Sequence, residues 1–278
     1  MAAALASPGP PDEATIEASG IPFHVLGWGD RDAPPILLLH GVTSSAGTWW
    51  RIGPAIAAAG FRVVAPDLPG HGRTGHWRGH ARFRDNAADL VAFARAALPD
   101  VEAAAIRVVG HSWGAVTAAA FPAAGFRPER LVLIDPPAIP LAVITLLLED
   151  PAEHRYDDLT EAIMAIGSLN PTWAYGDVLA KAEGLTQFDE AAVRAILTEN
   201  GDWDGGLADL ADPAARDVRL WLIRGDPAVG GYVPDEALPA FEERMGPDHV
   251  ATIVGGPHSP HRTHPAETVD ALLRALAS

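Results

Sequence analysis

Short apolar runs with little polar interruption recur along the first half of the chain and again near its end, and each stops at a glycine, proline or polar cluster. Ile36-Leu37-Leu38-Leu39, Phe61 to Ala65, Ile106 to Val109, Leu131-Val132-Leu133-Ile134, Leu220-Trp221-Leu222-Ile223 and Val250 to Val254 are of this kind. Runs of this length without polar alternation predict strands buried on both faces. Between them lie stretches with helical spacing or helical boundaries: Thr48 to Ala59, Phe83 to Leu98, Asp235 to Met245 and Pro265 to Leu276. Strand and helix in alternation predict a parallel sheet with right-handed crossovers and helices on both faces. Upstream, Thr15 to Ala18 and Phe23 to Trp28 flank Ser19-Gly20 and predict an antiparallel hairpin.

From Ala138 to about Asp212 the alternation stops. Amphipathic stretches, Tyr156 to Ile166 and Glu190 to Leu197, are separated by Asn170-Pro171 and by the turn-rich Asn200 to Gly206, with no buried parallel strand evident. The expected organisation is a flexible tail over 1–13, a core over 14–137, a helical cap inserted over 138–212, and the rest of the core over 213–278.

Composition narrows the class. The 278 residues are enough for one large α/β domain, and a hydrophobic fraction of 48% fills its core. The absence of cysteine excludes disulfides, thiol catalysis and thiolate metal sites. A formal charge of −16 repels polyanions, so neither nucleic acid nor an anionic membrane is expected as a partner. Met1 to Gly20 has no basic stretch and breaks at Ser7-Pro8-Gly9-Pro10-Pro11, and Leu141 to Leu148 is too short to span a bilayer. A soluble, cytoplasmic protein is therefore expected.

The chemistry centres on Gly110-His111-Ser112-Trp113-Gly114. A β-branched run enters it, and the small residues Ala115, Ala118, Ala119 and Ala120 follow at helical spacing. That pattern predicts a strand turning sharply into a helix with a serine at the apex, the glycines allowing strand and helix to approach closely. A serine hydroxyl needs an oriented base. His258, in Gly255-Gly256-Pro257-His258 after a strand, is the expected base, and the order serine, acid, histidine suits this elbow. Two aspartates follow strands at the same sheet edge. Asp226 is the expected acid and Asp135 the alternative. The backbone N–H groups of Val42, in His40-Gly41-Val42, and of Trp113 are the expected oxyanion donors.

These motifs resemble the α/β-hydrolase superfamily over Ile21 to Leu276. Four in order carry the resemblance: Leu39-His40-Gly41-Val42, Pro66-Asp67-Leu68-Pro69-Gly70-His71-Gly72, Gly110 to Gly114, and Gly256-Pro257-His258. The resemblance implies an α/β-hydrolase fold: a mostly parallel eight-stranded sheet, helices on both faces and an inserted helical cap. It implies Ser112 as nucleophile, His258 as base and an acid after the sixth or seventh strand. The family's usual pattern sets that acid a few residues past a glycine and shortly before Val-Pro. Here Gly225-Asp226 comes early, with an added Gly230-Gly231 before Val233-Pro234, which keeps Asp135 open.

A serine nucleophile argues against the dehalogenase and epoxide hydrolase members, which attack with aspartate. Proline iminopeptidases typically carry Asp-Gln-Arg-Gly where this chain has Asp67 to Gly70, and the HGGG oxyanion loop of another esterase branch is absent. The expected activity is hydrolysis of a carboxylic ester or lactone of a small to medium, largely apolar substrate, with Trp49, Leu141 and Ile144 lining the pocket. C–C bond or amide hydrolysis on the same triad and a non-turnover ligand receptor are the alternatives.

No cofactor or metal is expected. His258, His261 and His264 have no acid pair or thiol beside them to complete a metal site. Asp67, ahead of Pro69-Gly70, is expected to stabilise a turn, and His71 and His76 to sit in loops near the entrance.

Overall fold

A computed structural model describes residues 2–75 and 77–277 of the chain. The buried runs form an eight-stranded sheet from β1 (Asp12–Ala18), β2 (Ile21–Trp28), β3 (Pro35–Leu39), β4 (Arg62–Pro66), β5 (Arg107–His111), β6 (Arg130–Ile134), β9 (Arg219–Gly225) and β10 (Val250–Ile253). Their order is β1-β2-β4-β3-β5-β6-β9-β10. The pairs β1·β2 and β2·β4 are antiparallel and all others parallel. This is the fold that the resemblance implied.

Successive side chains of a strand face opposite ways, so a strand covered on both sides needs apolar residues at every position. Leu37, Leu39, Val108, Leu131 and Leu133 enter one core with α3 (Phe83–Ala97) and α4 (Trp113–Ala119). Ile36, Leu38, Val109, Val132 and Ile134 enter another with α2 (Ile52–Ala57) and α12 (Pro265–Ala277). The four leucine and isoleucine side chains of β3 are fully buried, each contributing roughly 1.5–3 kcal/mol. With β3 and β5 side by side, the loops at their carboxyl ends converge, and the site forms there.

Between β6 and β9 the chain leaves the sheet. A two-stranded clasp joins β7 (Ala138–Ile139) to β8 (Trp203–Asp204), pairing Ala138 with Asp204 and Ile139 with Trp203. The excursion it closes holds α5 (Leu141–Ile144), α6 (Leu159–Leu169), α7 (Tyr175–Thr186) and α8 (Glu190–Glu199). The Asp158 and Asp189 side chains cap α6 and α8 by accepting first-turn N–H groups. After β8 come α9 (Leu207–Leu210), then α10 (Leu238–Met245) and α11 (Pro260–Thr263) flanking β10.

Three expectations differ from the structure. The tail begins with a short helix, α1 (Ala2–Ala6), with Ala4 and Leu5 packed on the α2 and α12 side of the sheet. The helix expected from Thr48 to Ala59 is a 3₁₀ turn, Ala46–Trp49, followed by α2. Helix α7 was not anticipated. Its buried residues include Val178, Ala182 and Leu185 at helical spacing, but Asp177, Lys181 and Gly184 are buried among them and interrupt the apolar pattern.

Candidate active site

Ser112 stands between β5 and α4 at φ 54°, ψ −124°, a sparsely populated conformation for a residue with a Cβ, costing about 1–3 kcal/mol. The neighbours make it possible. A Cβ on Gly110 would meet the Gly114 carbonyl oxygen at 2.4 Å, and one on Gly114 would meet the His40 carbonyl oxygen at 2.4 Å. Strand, helix and the loop after β3 are thus in backbone contact around the serine.

His258 Nε2 lies 2.9 Å from Ser112 Oγ. Its Nδ1 lies 2.7 Å from Oδ2 of Asp135, which has no solvent exposure. Asp135 follows β6 at φ +43°, a conformation that aspartate tolerates better than most residues. Its Oδ1 accepts from Gly225 N–H at 2.8 Å and its Oδ2 from Tyr232 N–H at 2.8 Å. The Tyr232 ring stacks on the imidazole, with centroids 4.0 Å apart. Burial pushes the Tyr232 phenol up to about 12, so it stays neutral beside the histidine.

Asp226, the expected acid, is placed elsewhere. Its Oδ1 accepts from Ala228 N–H at 2.9 Å and its Oδ2 from Gly255 N–H at 2.9 Å. The Gly255 and Ala228 amides hold its exposed carboxyl below the usual range. Asp226 thereby staples the turn after β9 to the loop leading to His258, which crosses the end of β9 to reach Asp135. The Gly230-Gly231 segment that departs from the family pattern brings Tyr232 N–H to Asp135.

Two backbone donors lie beside the serine. Among the described residues, neither Val42 N–H nor Trp113 N–H is engaged in a hydrogen bond. A Cβ on Gly41 would sit 3.0 Å from Ser112 Cβ, so the loop carrying Val42 is as close as a glycine allows. His111, inside the elbow, was not singled out from the sequence. Its Nε2 donates to the His258 carbonyl at 2.8 Å, and its ring packs between those of His258 and His261. Burial holds it neutral.

Ser112 and His258 open into a cavity of about 350 Å³. The core contributes Val42, Ser44, Tyr232 and Arg262 to its wall, and the helical excursion contributes Leu147, Glu153, Asn170, Trp173 and Lys181. The lining mixes charge with apolar surface and differs from the apolar pocket expected. Trp49, Leu141 and Ile144 do not line it. Trp49 is fully buried against His261, Ile144 lies in the main core, and Leu141 starts α5 with its N–H donating to Asp202.

Among known proteins, residues 36–271 match the alpha/beta hydrolase family. The chain belongs to that family. It is similar to epoxide hydrolase B of Mycobacterium tuberculosis, 33% identical over 204 residues, which cover 71% of this chain and 54% of that protein. The chain thus spans about half the length of this curated relative. Similarity to lipase LipV of the same organism runs through both chains, 30% identical over 252 residues, 82% of this chain and 87% of the lipase. A solved esterase of Mycobacterium tuberculosis matches with a TM-score of 0.70 at 25% identity, covering 100% of this chain and 95% of that one.

Around the site, this alpha/beta hydrolase ties its loops with buried polar groups. His40 Nε2 accepts from Leu68 N–H at 3.0 Å while its Nδ1 meets the Gly41 carbonyl at 2.8 Å, joining the loops after β3 and β4. Asp67 accepts from Ala46 N–H, Arg73 N–H and the His24 ring at 2.7–2.9 Å, a turn-holding role away from the serine. His71 is buried against Trp113, and His76 lies outside the described residues. Lys181 reaches down from α7 to donate to Thr43 Oγ1 at 3.0 Å and Glu153 Oε2 at 2.7 Å, and Thr43 Oγ1 also donates to Glu153. Thr43 itself stands at φ +56°, next to Val42. Among the described residues, no histidines and carboxylates group as metal ligands, and no helix is long and apolar enough to cross a membrane.

Proposed function

We propose that this chain is a serine hydrolase that cleaves a carboxylic ester or lactone through an acyl-enzyme. The observation that carries the proposal is the continuous line from Ser112 Oγ through His258 to Asp135 at the floor of a cavity. His258 Nε2 takes the Ser112 proton as Oγ attacks the carbonyl carbon, and the carbonyl π electrons move to oxygen. The N–H groups of Val42 and Trp113 receive that oxyanion, each donor being worth about 3 kcal/mol in such a site. The tetrahedral centre collapses, the C–O bond to the alcohol breaks, and His258 returns its proton to the departing oxygen. Water then attacks the acyl-serine with His258 as base, releasing the acid and restoring the hydroxyl. Asp135 orients the imidazole and stabilises its cation throughout.

The nucleophile decides between the activities named for the relatives. Oxygen attack by serine on an epoxide would leave an enzyme ether, which water does not cleave, whereas attack on an ester leaves an ester that water does. The chemistry of Ser112 therefore favours acyl transfer over epoxide opening.

Hydrolysis of 4-nitrophenyl butyrate tests the proposal. Turnover that disappears in Ser112→Ala, together with labelling of Ser112 by a fluorophosphonate, is the expected result. Binding without turnover, and no labelling, would overturn it in favour of a receptor.

A further inference from the structure

We infer that the cavity above Ser112 takes an acyl or alkyl group that ends in a carboxylate, and that Arg262 receives it. The inference rests on the ester-hydrolase reading given above.

Arg262 lies on α11, four residues after His258, and lines the cavity. It is only 6% exposed. A cation taken out of water requires compensation, normally from an anion. The only side-chain acceptors it meets among the described residues are hydroxyls. Nε and Nη2 donate to Thr48 Oγ1 at 3.3 and 2.9 Å, and Nη2 donates to Ser44 Oγ at 3.3 Å. Nη1 has no partner among the described residues, yet it is not one of the sealed polar atoms. It belongs to a residue that lines the cavity.

The carboxylates whose fields reach Arg262 are Asp177 and Glu153. Both are already engaged, Asp177 by Arg51 and Glu153 by Lys181. Asp150, which also lines the cavity, uses Oδ1 to accept from Ala152 N–H at 2.8 Å. Arg262 is thus the cavity cation without a carboxylate partner in a chain whose net charge is −16.

Its orientation is fixed as well. The Trp173 ring lies 4.9 Å from the guanidinium carbon, and the hydroxyl bonds hold the opposite edge, so the remaining N–H donors are presented in one direction. A planar, oriented guanidinium suits a carboxylate. Ser44, Trp173 and Arg262 come from the core loop, the helical excursion and the histidine-bearing segment. All three line this cavity, so the guanidinium sits where three separate segments border the space above Ser112.

The pair 4-nitrophenyl hydrogen adipate and its methyl ester isolates the charge, since the adipate spacer is long enough to keep the carboxylate from attacking its own ester. Wild type should favour the acid in kcat/KM by about tenfold to a hundredfold, the size of one charge-assisted hydrogen bond in a buried site. That ratio should fall to about one in Arg262→Met and be partly restored in Arg262→Lys. Equal or faster cleavage of the methyl ester by wild type would overturn the inference, and this comparison needs no variant to fold. Should neither ester turn over, the hydrolase reading fails and the carboxylate site is judged by titrating adipate into the wild-type protein. Saturable binding that is weakened at least tenfold in Arg262→Met then upholds the site, and no saturable binding overturns it.

Discussion

A carboxylate without solvent contact must have its oxygens occupied, and Asp135 meets that demand with two backbone N–H groups and the His258 ring. Replacing one oxygen by an NH₂ group sets a donor against those donors. On the proposed mechanism, Asp135→Asn should lower kcat on 4-nitrophenyl butyrate by about 10³–10⁴-fold with KM little changed. Asp226→Asn keeps an acceptor for one of its two amides and should leave kcat within about threefold, because its carboxylate bonds only to loop backbone. Steady-state kinetics on the two variants compares them directly, and a loss confined to Asp226→Asn would reverse the assignment. That Ser112 and His258 stand on turns after buried strands was legible in the sequence because glycines beside them announce those turns. Which aspartate meets His258 was not. Asp135 and Asp226 both follow apolar runs, and what separates them is a positive φ at Asp135 and the path of Gly225 to Tyr232, which depend on how three loops meet.

At the scale of elements, α7 matters most for what it touches. Gly184 packs its face onto Ser44, where a Cβ would lie 3.0 Å from the Ser44 Cα, and one turn away Lys181 bonds to Thr43. Thr43 adjoins Val42, so this helix braces the loop that carries a proposed oxyanion donor. Lys181→Met should reduce kcat by about tenfold or more while KM changes less, since the loss falls on alignment of that donor. A change in KM alone would assign Lys181 to substrate binding. The same helix explains a limit of sequence pattern. Strands β3, β5 and β6 were legible because both their faces are apolar. Helix α7 was silent because its buried Val178, Ala182 and Leu185 are interleaved with a buried aspartate, a glycine and an ion-paired lysine, which look like a solvated segment until the partner surface is known.

For the molecule as a whole, burial of neutral histidines sets the response to acid. His40, His71, His111 and His261 are held below their ordinary 6.5 by burial, His71 down to about 3. Below pH 6.5 the unfolded chain binds protons at these sites that the folded chain does not, so stability falls as pH falls, by at most about 1.4 kcal/mol per unit for each such histidine. His24 acts in the opposite sense. The Asp67 carboxylate raises it, and its contribution is complete below 6.5 and lost as pH rises through its folded value. Four sites against one leave acid as the weak side. The urea midpoint should therefore drop steeply between pH 6.5 and 5, and a flat midpoint over that range would show that these histidines are not held neutral. The end of the strand-helix alternation after β6 was legible as a change in rhythm, but the clasp of β7 and β8 was not, since two-residue strands leave no periodicity. That clasp has a practical meaning. Because β7 and β8 pair residue for residue and Gly205 N–H donates to the Pro137 carbonyl at 2.8 Å, the helical excursion departs from and returns to one spot on the sheet. It behaves as a cassette with adjoining ends, and grafting another such segment between Ile139 and Trp203 would alter what the cavity accepts while leaving in place the strands that carry Ser112, Asp135 and His258.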